Sequence, residues 1–195
     1  DVAYSNDTGA NLSGLDVNLN WNAQFAELGL DFIPGGIGIN MLATIPLTVE
    51  TQAEPGAQFL DWVGYQAGAD CPSGVSCNSY DYTMFTTFNY FNGPWNASLR
   101  WQHYPDIKSG QLVTNPASTA KGVHSSFNVF ALTAGYRLSE SIMLTGGIEN
   151  VFDKTPPLAG GNPDATPYPS PAQYTSGGIY DPLGRRFFIS ANLSF

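Results

Sequence analysis

Charge is scarce in this chain. Only 12% of its 195 residues are charged, and the seven basic ones, Arg100, Lys108, Lys121, Arg137, Lys154, Arg185 and Arg186, form no patch. Nucleic acid, which is held through clustered Lys and Arg, is therefore not an expected partner. Long apolar runs are missing too, since none approaches the roughly 20 residues of a membrane helix. That excludes helical spans only, because barrel strands cross with about 9–11 residues. Cysteine is down to two, Cys71 and Cys77. Two thiols are too few for a zinc site without other ligands, and no histidine lies near them. Their Gly/Ser/Pro-rich surroundings suit a small loop disulfide formed in an oxidising compartment. Catalytic motifs are also lacking: there is no Gly-x-Ser-x-Gly elbow and no His-Glu-x-x-His. Pro34-Gly35-Gly36-Ile37-Gly38 has the glycines of a phosphate loop but neither the Lys nor the helix. His103 and His124 sit at a strand end and beyond a loop, with no partner set around them. The expectation is a protein without catalytic residues, metal or cofactor.

What the chain does have is aromatic residues, at 13%, together with 21 Gly and 14 Pro. Low charge combined with many aromatics argues against disorder. Strict alternation of apolar and polar residues, the mark of a strand with one apolar face, recurs seven times. Leu15, Val17, Leu19 and Trp21 oppose Asp16, Asn18, Asn20 and Asn22. Ile37 through Val49 alternate with Gly38 through Glu50, and Pro46 predicts an irregularity there. Further strands follow at Tyr80–Phe91, at Trp95–Tyr104 after an Asn92-Gly93 turn, at about 125–138, at Ile142–Ile148 and from Gly184 to the end. In the last of these Phe187, Ile189, Ala191, Leu193 and Phe195 share a face. Residues 1–10 read as a loop, and Gln58–Tyr65 as a short helical turn inside a long connection. Connections alternate between short and long without exception. The apolar faces carry no Asp, Glu, Lys or Arg, whereas Arg100 and Glu149 fall on the opposite faces. With seven antiparallel strands the first and last would meet parallel on closure, so the chain reads as an open wall. It has neither an initiator Met nor a signal peptide, and is expected to be a piece of something larger.

Ile148-Glu149-Asn150-Val151-Phe152-Asp153-Lys154, then Tyr180-Asp181-Pro182-Leu183-Gly184-Arg185-Arg186-Phe187-Phe188, then a terminal Phe, resembles the C-terminus of TonB-dependent outer-membrane receptors. The family pattern there is an N-hydrophobic-F-D-K strand end, a Pro-rich loop, a P-G-R turn and a closing strand ending on an aromatic. The match is tightest from about Phe127 onward; upstream only the strand pattern agrees. The resemblance implies an all-β fold: an antiparallel transmembrane β-barrel segment in the bacterial outer membrane, about seven up-and-down strands belonging to a barrel of about 22. Short turns would be periplasmic and long loops extracellular.

It also implies energy-coupled uptake of a scarce small-molecule ligand: an iron chelate, cobalamin or an oligosaccharide. The implied partners are outer-membrane lipid, a plug domain absent from this chain, the TonB energy-coupling complex and the outer-membrane assembly machinery. Phe195 and Leu193 would then be the assembly signal. Arg100 and Glu149 are the candidate lumen residues for ligand, and Cys71–Cys77 the loop disulfide. A passive porin and a soluble lectin-like β-sandwich are the alternatives. Aromatics gather at both strand ends, Tyr80, Tyr82, Tyr104 and His103 at one and Trp21, Phe25, Tyr90, Phe91, Trp95, Tyr136 and Phe195 at the other, and fit interfacial girdles.

Overall fold

The computed structural model describes residues 9–66, 71, 77–117, 125–157, 180–181 and 183–194. In chain order the strands are β1 (Gly9–Gln24), β2 (Gly36–Gln52), β3 (Leu60–Asp61), β4 (Tyr65–Gln66), β5 (Thr83–Asn92), β6 (Trp95–Tyr104), β7 (Lys108–Ser109), β8 (Phe127–Ser139), β9 (Ile142–Glu149) and β10 (Arg186–Leu193). The long strands form one antiparallel meander, β1-β2-β5-β6-β8-β9-β10, and β3 adds to β2 as an eighth member. β4 and β7 make a separate parallel pair. β1 and β10 stand at the two edges, each with one neighbour, so the described sheet is open. The first strand starts at Gly9, earlier than its composition suggests.

Period-two patterning sorts the two faces across the whole sheet. One row of partners runs Trp21, Ile39, Phe88, Leu99, Leu132, Ile148 and Phe187, one residue from each long strand. The adjacent row on the opposite face begins Asn20, Asn40, Thr87, Arg100 and Ala131. Leu99 and Arg100 thus point to opposite sides. On the polar face carboxamides chain together: Asn20 donates to Asn18 Oδ1 at 2.6 Å, Asn40 to Asn20 Oδ1 at 2.6 Å and Asn89 to Asn40 Oδ1 at 2.8 Å. The apolar face stays open to solvent, with Phe187 72% and Ile189 86% exposed. No described element packs against it.

Phe188 is the bulky residue on the polar face of β10. It lies over Gly147, where any Cβ would come within 2.5 Å of its ring. The glycine supplies the space that the ring fills.

Pro46 does mark an irregularity. Ser13 pairs with Thr48 and Gly14 with Pro46, which leaves Leu47 as the extra residue of a β-bulge. Beyond the bulge the sides of β2 exchange, because one added residue shifts a period of two by half. Val49 is therefore not on the apolar outer face with Ile45. It is buried with Trp62 and Cys77. Ser13 and Thr48 hydroxyls meet at 2.6 Å, and Asn11 donates to Glu50. The apolar band of these two strands ends at the bulge.

Both buried clusters sit at the end reached by the long connections. One is Val49, Trp62 and Cys77; the other is Tyr80, Ile107, Phe127 and Tyr180. Residues 58–65 form no helix. Leu60–Asp61 pair with β2, and among the described residues of the long connections the one helical turn is α1 (Gln111–Thr114). Trp62, wholly buried, donates its indole N–H to Thr51 Oγ1 at 2.8 Å. Cys71 and Cys77 stand at disulfide distance, S–S 2.09 Å, in the same connection. At the other end 93–94 and 140–141 are tight turns, while the connection 25–35 carries a 3-10 turn at Ala26–Leu28. Gly93 takes φ +55° and Pro94 follows, so the two-residue turn is Gly93-Pro94, one position beyond the Asn92-Gly93 that composition favours.

Candidate functional site on the polar face

Arg100, Gln102 and Tyr104 alternate along β6 and so project from one side of the sheet. Val129 and Ala131 of β8 join them, and Glu149 and Arg186 come from the facing ends of β9 and β10. Together these residues bound a cavity of about 330 Å³, closed at the long-loop end by Tyr104, Phe127 and Tyr180. Arg100 Nη2 meets Glu149 Oε2 at 2.5 Å, and Arg186 Nη2 meets Asp181 Oδ2 at 2.5 Å. The cavity therefore holds two guanidinium–carboxylate pairs and no net charge. Gln102 lines it with its carboxamide unpaired among the described residues.

The aromatic wall ties three loops together. Tyr80 precedes β5, Ile107 follows β6 and Tyr180 arrives just before β10. The hydroxyls of Tyr80 and Tyr180 are hydrogen-bonded to each other, and Phe127 meets the Tyr180 ring edge-on at 4.9 Å. Burial, joined by the hydroxyl of Tyr180, holds the Tyr80 phenol far above its ordinary value. Burial raises Tyr180 as well. Both are neutral hydroxyls over the physiological range.

The strand end that carries Asn150 and Asp153 lies beside this cavity. Both residues take left-handed backbone, φ 50° and 53°, which Asn and Asp tolerate better than most. Asn150 closes a loop on Lys154, donating Nδ2 to its carbonyl at 2.9 Å and accepting its N–H at 2.8 Å. Asp153 Oδ1 accepts the Arg185 N–H at 2.8 Å. Gly184, at φ +68°, has no room for a Cβ, which would stand 2.9 Å from that same oxygen. The two separated sequence motifs thus meet as one hydrogen-bonded clamp, which positions Arg186 toward the cavity.

The two candidate lumen residues, Arg100 and Glu149, meet as an ion pair. Leu193 lies on β10, 54% exposed. Phe195 and His124 lie outside the described residues. His103 engages Tyr82, ring nitrogen to hydroxyl at 3.0 Å, and Asn128 at 2.8 Å. Tyr80 and Tyr104 belong to the buried cluster and its packing rather than to an outer aromatic band. Among the described residues no group of His, Cys, Asp or Glu is placed to hold a metal. Gln102 was not a site candidate from sequence, and Tyr180, Asp181 and Arg186 entered only as members of the terminal motif. For Asp181 and Arg186 the one signal was their position on either side of the Gly184 turn.

No family model matches the chain, and neither the curated proteins nor the solved structures contain a match to it.

Proposed function

We propose that this chain is the C-terminal part of the barrel of a TonB-dependent outer-membrane receptor, its long strands being the last of about 22. The observation that carries the reading is the uncovered apolar face that runs across all the long strands. A soluble sandwich would cover such a face with a second sheet. Contiguous exposed apolar surface of this extent marks a membrane or protein contact. The shorter connections 25–35, 93–94 and 140–141, alternating with the long ones 53–82, 105–126 and 150–185, support the same assignment. So does the absence of charged side chains from the apolar rows, since a charge there costs about 2–4 kcal/mol at the bilayer midplane.

In this reading the edges at β1 and β10 pair with other strands of the full-length barrel. The polar face lines the lumen beside a plug, and coupling through TonB drives uptake of a small-molecule ligand. Phe195 is then read by the assembly machinery as the end of the closing strand.

Tryptophan quenching in brominated lipid tests the membrane assignment. In full-length protein reduced to one tryptophan at a time, Trp21 and Trp95 should be quenched and Trp62 should not. Equal quenching at all three positions, or at none, sinks the reading. Transport separates receptor from porin: uptake should stop when the TonB complex is removed, whereas a porin would continue.

A further inference from the structure

Resting on the receptor reading above, we infer that the Arg100–Gln102–Glu149–Arg186 cavity is a binding site for a neutral saccharide of one or two rings. Its charge is already settled internally. Each guanidinium meets a carboxylate at 2.5 Å, so neither an anionic chelate nor a cation finds an uncompensated counter-charge here. A neutral polyol needs none. Each guanidinium carries five N–H donors in a fixed fork, and each carboxylate about four acceptor sites. One contact apiece leaves donors and acceptors side by side, which is what adjacent hydroxyl groups require.

Gln102 adds a carboxamide to the lining that is unpaired among the described residues, offering two donors and one acceptor oxygen. The floor is Val129 and Ala131, and the end wall is aromatic, so the C–H surface of a sugar ring meets apolar groups. The cavity of about 330 Å³ lies at the small end of the range for ligand sites. One hydroxyl proton of the Tyr80–Tyr180 pair is taken up between them, and the β6, β9 and β10 side chains supply most of the polar groups.

Titration calorimetry on folded full-length protein in detergent tests this, with maltose, cellobiose and xylobiose as probes and ferric citrate as the charged comparator. At least one disaccharide should bind, with an affinity that added salt leaves unchanged. Gln102→Ala should weaken that binding about tenfold, the effect of losing one or two neutral hydrogen bonds. Gln102→Trp, which fills the cavity, should abolish it, and Asn20→Ala, elsewhere on the same face, should leave it intact. Failure of all three disaccharides to bind overturns the proposal. So does saccharide binding that Gln102→Trp leaves unchanged, or ferric citrate bound through Arg100 in their place. A protein that passes the tryptophan-quenching test yet binds no disaccharide loses the saccharide site alone. One that binds through Gln102 but fails quenching keeps the site and loses the membrane reading.

Discussion

Arg100 and Glu149 close a 2.5 Å ion pair over a strand that contains neither of them. β8 runs between β6 and β9, and Ala131, directly across from Arg100, is the small residue that lets the two side chains meet above it. The pair is only partly buried, with Arg100 46% and Glu149 28% exposed at the side chain. Solvent screening should keep its worth low. We expect Arg100→Met and Glu149→Gln each to cost no more than about 1 kcal/mol, with a double-mutant coupling in the same range. Urea unfolding of the four proteins in the cycle measures it. Ala131→Leu should separate the pair and occupy part of the cavity, lowering ligand binding more than stability.

The clamp between Asp153 and Arg185 predicts an unequal pair of substitutions. Asp153→Asn keeps an acceptor oxygen and a side chain that tolerates left-handed backbone, so stability should hardly change. Asp153→Ala loses both and should cost about 1–2 kcal/mol. Gly184→Ala should be comparably harmful, because its φ of +68° and the nearby Asp153 oxygen both oppose a Cβ. Equal stability for Asp153→Asn and Asp153→Ala in urea titrations would remove the clamp from the account.

Trp62 organises the first long connection. Trp62→Ala should cost about 3–5 kcal/mol locally, as the emptied site lies beneath Val49 and the cysteine pair. Trp62→Phe keeps most of the volume but leaves the buried Thr51 hydroxyl without its indole donor, at about 1–3 kcal/mol. Limited proteolysis should cut within 53–82 in Trp62→Ala, while hydrogen exchange in β5 and β6 stays slow. Loss of strand protection at the same rate would show that the loop and sheet unfold as one unit.

The tyrosine pair gives a pH signature. Both phenols are raised in the folded protein, so the folded state holds their protons more tightly than the unfolded chain does. Their contribution to stability is fully present below the ordinary tyrosine value of about 10. It is lost as pH climbs from there through the raised folded values. Phenolate absorbance should show groups that fail to ionise until the protein unfolds. Tyr80→Phe should remove one of them and flatten the fall in stability above about pH 10. An alkaline titration identical to the parent's would contradict this.

What is legible in the sequence depends on the range of the interaction concerned. Alternation along β1, β6 and β10 is a local property, and it predicted which side chains share a face because consecutive Cβ atoms in a strand must alternate. It failed at Val49. The bulge at Leu47 inverts the alternation, and Pro46 announced an irregularity without saying that one residue would be added there. The helical turn expected at 58–65 failed for a related reason: Leu60 and Asp61 are held by pairing with Thr51 and Glu50, a contact that local composition does not express.

By itself the sequence determined the all-β class, the long strands with their two faces, the loop disulfide candidates and the opposition of Leu99 to Arg100. Each follows from neighbours two residues apart or from short-range composition. Only the tertiary structure decided that Asp153 accepts from Arg185, that Tyr80 meets Tyr180 and that Arg186 joins Asp181 beside the Arg100–Glu149 pair. Those contacts depend on how strands distant in the chain are registered and where the long connections return. Register is set by pairing across the whole sheet, and no stretch of the chain carries that information alone.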